Sequence, residues 1–350
     1  MSQRGNSVSG NPQLLKQLGV SSFEQRLPWL GGDLQTLRDT LRPVQLPPET
    51  GEPVLIDVPA LTSGAAEAGQ LLALLDHPQA PPRGLVLLLH GLGGSSSREG
   101  LRRMGLALQN VGFSVLRLNL RGADPGRHLA GGTYAASCNS DLLPVIAKAR
   151  ALASGKPLLG AGISLGGTML LNACLQEQGA LDGLFCASSP LDLAACSGSI
   201  ERPRNRIYQR WLLQRLVRQT ASDPFGISTT ERICLCGDAS PKTIRAFDTA
   251  ITAPRWGYDG VEDYYRTASP LKRLRGAAGK FPLTLLLQAL DDPWVPAAAA
   301  MDLAESLPER SQVQVVITSK GGHNGFHGRG GCWGDHLAAE WLSSLVLDAV

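Results

Sequence analysis

The hexapeptide Gly162-Ile163-Ser164-Leu165-Gly166-Gly167 follows the apolar run PLLGAGI and precedes TMLLNACL, whose composition suits a helix. Strand, sharp turn and helix in that order are what a nucleophile elbow demands, with small flanking residues because the serine backbone is strained. The bare G-x-S-x-G pattern is weak in a chain with 40 Gly among 350 residues, so its weight comes from the segments on either side. A serine hydroxyl becomes a nucleophile when an imidazole takes its proton, and the imidazole needs a carboxylate to fix its tautomer. Both partners follow in the order Ser, Asp, His. LTLLLQAL runs into Asp291-Asp292-Pro293-Trp294-Val295-Pro296, and VQVVITS runs into Lys320-Gly321-Gly322-His323-Asn324-Gly325-Phe326. A tetrahedral oxyanion needs two convergent N–H donors. Leu165, after the serine, and Leu92, in His90-Gly91-Leu92-Gly93-Gly94 after LVLLL, are the candidates.

Rival readings remain open at several of these positions. Asp292 is preferred as the acid because the D-P-x-V-P pattern starts there, with Asp291 as its neighbour and alternative. His323 is preferred over His327 and His336 for its preceding glycine pair and its closeness to a strand end. The glycine-rich loop at His90 lacks the Gly-Lys-Ser/Thr of a phosphate-binding Walker A loop. Three histidines and Cys332 lie close together, but without HExxH spacing or a carboxylate cluster, and Cys234 and Cys236 have no second pair at zinc spacing. No metal or organic cofactor is expected.

These residues need a frame. LVLLL, SVLRLNL, PLLGAGI, GLFCASS, LTLLLQAL and VQVVITS read as buried strands, and helical-length stretches ending at Gly112, Gly155 and Gly179 separate several of them. Strands alternating with helices require crossovers. The expected fold class is therefore α/β, a mostly parallel central sheet with helices on both faces. From about 190 to 275 the rhythm breaks into helix-like pieces, expected as a cap over the site. Over 201–218 that insertion carries Arg202, Arg204, Arg206, Arg210, Arg215 and Arg218 against Glu201 alone, either a solvated face or a surface for anionic lipid headgroups or an acidic substrate. Residues 1–50 lack periodicity and are expected to wrap the surface of a 51–350 domain.

The chain's 350 residues, 43% of them apolar, suffice for a core without disulfide or metal staples. Lys+Arg 33 against Asp+Glu 30, with no basic tract, argues against nucleic-acid binding. The apolar runs are too short to span a bilayer and the polar start MSQRGNSVSG lacks a signal-peptide core. Seven cysteines, an odd number mostly within apolar segments, fit a reducing, cytoplasmic setting. Oligomeric state is not legible.

Together, LPWLGGDLQTL, LLLHGLGGSS, RLNLRGADPG, GAGISLGGTMLLN, SSPLDL, RAFDTAITAPRWGYDGVEDYYRTASP, LDDPWVP and GGHNGF resemble the YheT-like branch of the α/β-hydrolase superfamily. The FD, YY and SP elements between Arg245 and Pro270 are the most telling. The segment SGAAEAGQ around Ser63 departs from the Asp-Gly turn usual in that branch, and SCNSDL from Ser137 departs before a helix. The resemblance implies a serine carboxylesterase or lipase-like enzyme, with Ser164 as nucleophile, Asp292 as acid and His323 as base. Apolar residues around the motifs and Trp211, Leu212 and Leu213 in the cap favour an acyl chain over a sugar or nucleotide; the expected substrates are short- to medium-chain acyl esters or monoacylglycerol-like lipids, with the acyl length itself not legible. The alternatives are acyl transfer to an alcohol by the same residues, or a non-catalytic acyl-ligand-binding protein.

Overall fold

The computed structural model describes residues 11–277, 281–308 and 310–347. The polar start MSQRGNSVSG, and with it the first ten residues of the expected wrapping segment, lies outside the described residues. Eight strands form one sheet in the order β1-β2-β4-β3-β5-β6-β7-β8. They are β1 (Glu52–Val58), β2 (Gly69–Asp76), β3 (Leu85–Leu89), β4 (Ser114–Leu118), β5 (Leu158–Ile163), β6 (Gly183–Ala187), β7 (Leu283–Ala289) and β8 (Val313–Thr318). From β4 to β8 all neighbours are parallel, while β2 runs antiparallel to both β1 and β4.

The six runs read as strands are the six parallel ones. Their continuous apolar character follows from burial on both faces. In β3, Leu85, Leu87 and Leu89 enter one core layer and Val86 and Leu88 the other, the two-residue period of a pleated strand. The helices α4 (Asn139–Ala153) and α5 (Leu165–Gln176) cover the first layer. Helix α3 (Glu99–Asn110) and the C-terminal helix Trp333–Leu347 cover the second. The antiparallel pair β1 and β2 is absent from the strands read in the sequence: in the edge strand β1, Glu52, Pro53 and Asp57 break the apolar run, whereas β2 carries the run Leu71–Leu75.

Between β6 and β7 the chain forms helices. Among them α6 (Leu193–Ile200) and α7 (Arg206–Ala221) border the carboxyl edge of the sheet. Ile200, Leu212, Leu213, Leu216, Phe247 and Ile251 form a small core of their own, against which Leu92 and Trp294 pack. Ahead of β1 stand α1 (Pro12–Gln17) and α2 (Gly32–Leu41). No helix among the described residues is long and apolar enough to cross a membrane.

Two buried polar groups fix the loops that leave β3 and β4. Arg121, fully buried, makes a two-pronged ion pair with Asp141 at 2.8 Å on both prongs and donates to the carbonyls of Gly131 and Pro59. It pins residues 121–141 across the end of the sheet. His90 follows β3. Its Nδ1 donates to the Gly91 carbonyl at 2.8 Å, and its Nε2 accepts the Leu120 N–H at 3.3 Å. Burial pushes its pKa down to about 4, so the ring stays neutral in that role.

Removing one partner of the buried pair strands the other charge, so Arg121→Ala should lower unfolding free energy by about 3–5 kcal/mol, read from urea denaturation. The unfolded His90 binds its proton near pH 6.5 and the folded one only near 4. Between these values the unfolded state holds more protons, so stability falls with decreasing pH, by about 3 kcal/mol in all. In His90→Gln the pH dependence of the urea midpoint over that window should flatten.

Candidate active site

Ser164 stands between β5 and α5 with φ 55° and ψ −124°, a left-handed conformation costing about 1–3 kcal/mol in a non-glycine residue. Two neighbours make the turn possible by having no side chain. A Cβ on Gly162 would come 2.4 Å from the backbone of Gly167, and one on Gly166 would come 2.6 Å from the carbonyls of Leu89 and His90. No real Cβ tolerates either distance, so the sequence G-x-S-x-G is a steric requirement here.

The end of β7 delivers Asp291 and Asp292, and the loop after β8 delivers His323. Nδ1 of His323 donates to Asp292 Oδ2 at 2.9 Å, and its Nε2 lies 3.0 Å from Ser164 Oγ. The carboxylate thus leaves Nε2 as the lone-pair nitrogen facing the hydroxyl. Asp292 is itself fixed. Its Oδ1 accepts the N–H groups of Trp294 and Val295 at 2.8 and 2.9 Å, and its side chain is fully buried. Asp291 points elsewhere, accepting the Gly322 N–H at 2.9 Å, and burial raises its carboxyl pKa. The structure therefore brings Ser164, His323 and Asp292 together and leaves Asp291 as a brace of the histidine loop.

The other histidines belong to separate contacts. His327 Nε2 lies 3.0 Å from Asp39, which also pairs with Arg103, and the exposed His336 faces Glu340 at 3.7 Å. Among the described residues no cluster of three His, Cys, Asp or Glu side chains could hold a metal ion. Cys332 is half-buried, and desolvation pushes its thiol pKa up to about 12.

The N–H groups of Leu92 and Leu165 have no hydrogen-bond partner among the described residues, and both residues line the cavity that contains Ser164 and His323. The loop carrying Leu92 lies against Ser164 at Gly91. It is held from outside the motif, because the Gly93 N–H donates to the hydroxyl of buried Tyr134 at 2.6 Å. The cavity measures about 660 Å³ and is walled mainly by apolar side chains, among them Ile163, Leu193, Ile200, Leu212 and Ile244.

Sequence reasoning missed several residues that shape this site. Tyr134 stands in no motif. The Trp294 ring stacks on His323 with centroids 4.4 Å apart, and it was visible only as one letter of DDPWVP. Thr36 Oγ1 accepts the His323 N–H at 2.8 Å. Gln35 exchanges two hydrogen bonds with the backbone of His327, which ties α2 to the histidine loop. Those two residues lie in LPWLGGDLQTL, so the signal was present without a reason for it. Asp248, on the π-helical turn Asp248–Thr252, also faces the cavity. It accepts the hydroxyls of Thr252 and Tyr265 at 2.7 and 2.8 Å, and burial pushes its carboxyl up to about 6.

Comparison with known proteins identifies the family. The family profile described as serine aminopeptidase, S33, matches residues 80–328. The Escherichia coli (strain K12) protein YheT is 30% identical over 282 residues, which cover 79% of this chain and 81% of that one. Phospholipase ABHD3 of Mus musculus is 33% identical over 250 residues, 71% of this chain. The matched part of this chain spans 59% of the length of that relative. Among solved structures, the esterase domain of a Rhodothermus marinus protein superposes with a TM-score of 0.53 at 18% identity, covering 85% of this chain and all of that one, which shows a shared fold. The chain belongs to the serine aminopeptidase S33 family and, within the α/β-hydrolase superfamily, to its YheT-like branch.

Proposed function

We propose that the protein is a serine hydrolase that cleaves carboxylic esters of short- to medium-chain acyl groups or monoacylglycerol-like lipids through an acyl-enzyme. The single observation that carries this reading is the hydrogen-bonded series Ser164–His323–Asp292, opening into an apolar cavity of about 660 Å³. The name phospholipase borne by the mouse relative supports an acyl ester as the bond cleaved.

In this mechanism Ser164 Oγ attacks the ester carbonyl as its proton passes to His323 Nε2. The carbonyl oxygen becomes an oxyanion and takes hydrogen bonds from the Leu92 and Leu165 N–H groups, with the positive end of α5 behind it. The carbon–oxygen bond to the alcohol breaks, and the imidazolium returns its proton to the departing oxygen. Water then attacks the acylated serine while His323 takes a proton from it. Collapse of the second oxyanion breaks the acyl carbon–Oγ bond and releases the acid, and the imidazolium returns its proton to Oγ to restore the Ser164 hydroxyl. Asp292 remains ionised throughout, fixing the tautomer and stabilising the transient imidazolium. Every group in this account belongs to the chain, so no cofactor enters it.

A fluorophosphonate probe should label the wild type and leave Ser164→Ala unlabelled; labelling that persists in the variant removes the assignment. With a chain-length series of p-nitrophenyl esters, Ser164→Ala and His323→Ala should each lose on the order of 10⁴–10⁶ in kcat, and the double variant little more, because the pair acts as a unit. Asp292→Asn should lose on the order of 10⁴ through the wrong tautomer. Asp291→Asn should stay within about tenfold of the wild type, and equal losses at the two positions would refute the choice of acid.

A further inference from the structure

The mouth of the cavity lies between α2 and α7. Asp39, Thr40 and Pro43 line it from one side, Trp211 and Arg215 from the other. The two helices are joined near their first turns by Asp33, which pairs with Arg204 at 3.0 Å and accepts the Tyr208 hydroxyl at 3.0 Å. Both expose large apolar side chains. Ile207 and Trp211, one turn apart on α7, are 83% and 45% exposed; Leu34 and Leu41, two turns apart on α2, are 40% and 59% exposed.

Charge decides what such a face can meet. Helix α7 carries four arginines and no acid over sixteen residues. Arg206, Arg210 and Arg218 are exposed and form no ion pair among the described residues, whereas Asp33 and Asp39 on α2 are already engaged with Arg204 and Arg103. The Arg215 guanidinium sits over the Trp211 ring, 4.6 Å from its centroid. A second copy presenting the same face would set arginine against arginine, so self-association through it is disfavoured. Apolar side chains flanked by unpaired arginines, with a tryptophan at the boundary, match a helix lying in the plane of a lipid interface.

We infer that the outer faces of α7 and α2 dock on an anionic lipid surface, placing the cavity mouth against the bilayer so that an acyl chain passes into it without crossing water. Ile207 and Trp211 enter the headgroup boundary and Arg206, Arg210 and Arg218 meet lipid phosphates. Delivery of the acyl chain rests on the ester-hydrolase reading; the docking itself does not.

Flotation with vesicles of phosphatidylcholine, alone or with phosphatidylglycerol, tests the docking. The wild type should float with the anionic vesicles and be released by added salt. Arg206→Glu/Arg210→Glu and Ile207→Glu, none of which touches the cavity, should each cut the bound fraction's partition coefficient by about tenfold or more, since each basic residue near a charged bilayer contributes a several-fold gain. Both variants should keep the wild-type thermal transition and the wild-type rate on a water-soluble short-chain ester, while losing rate on an ester held in vesicles. A wild type that stays unbound at low salt overturns the inference, leaving an acidic protein surface as the occupant of this face. Variants that float like the wild type overturn it as well. An inert but vesicle-binding wild type would sink the hydrolase reading and leave the docking intact.

Discussion

The structure depends on holding one imidazole between two fixed groups that come from different strand ends. The ring of His323 has to meet a carboxylate beyond β7 and a hydroxyl beyond β5 at the same time, and a displacement of about an ångström breaks one contact or the other. The parallel sheet makes this possible by bringing the carboxyl ends of β3, β5, β7 and β8 to one edge in a rigid register. Each loop leaving that edge is then restrained separately: the Leu92 loop by Tyr134, the acid loop by the N–H groups of Trp294 and Val295, the histidine loop by Asp291 and Thr36. Loops carry the chemistry, and buried polar contacts supply the stiffness that loops lack.

Rigidity is bought locally with strain. Ser164 sits at positive φ, as do Ser188, Asn324 and Phe326 close by, and the Ser188 hydroxyl accepts the Asn324 N–H at 3.1 Å. Such conformations survive only where packing on all sides over-determines them. Here the apolar layers on both faces of the sheet provide that packing, with Phe326 itself among the most deeply buried side chains. Burial therefore acts twice, once for stability and once for the shape of the site.

Much of this was legible in the amino-acid sequence because it is encoded in short-range patterns. An apolar run followed by G-x-S-x-G, D-P-x-V-P or G-G-H marks a strand end and its turn, and the elbow glycines report a steric condition that leaves no choice of residue. What escaped was encoded at long range or by a single side chain. Strand β1 lies at the sheet edge, so its pattern is mixed, while β2 carries the short apolar run LLALL, which was legible and passed over. Tyr134 acts through one hydroxyl from a loop with no periodicity. Arg121 and Asp141 look like ordinary charges until the fold buries both. The outer side of α7 was readable as an arginine excess, but which of its faces lies inward, with Leu212, Leu213 and Leu216, required the packing of these helices to be seen.

The clamp between α2 and the histidine loop joins residues 287 and 292 positions apart, Thr36 with His323 and Gln35 with His327. During synthesis from the N-terminus, α2 waits for its partner until 287 to 292 further residues have left the ribosome. The imidazole of His323 can therefore reach Ser164 only after the 287 positions that separate it from Thr36 have been translated. A chain that stops short of His323 carries the elbow with no imidazole beside its hydroxyl.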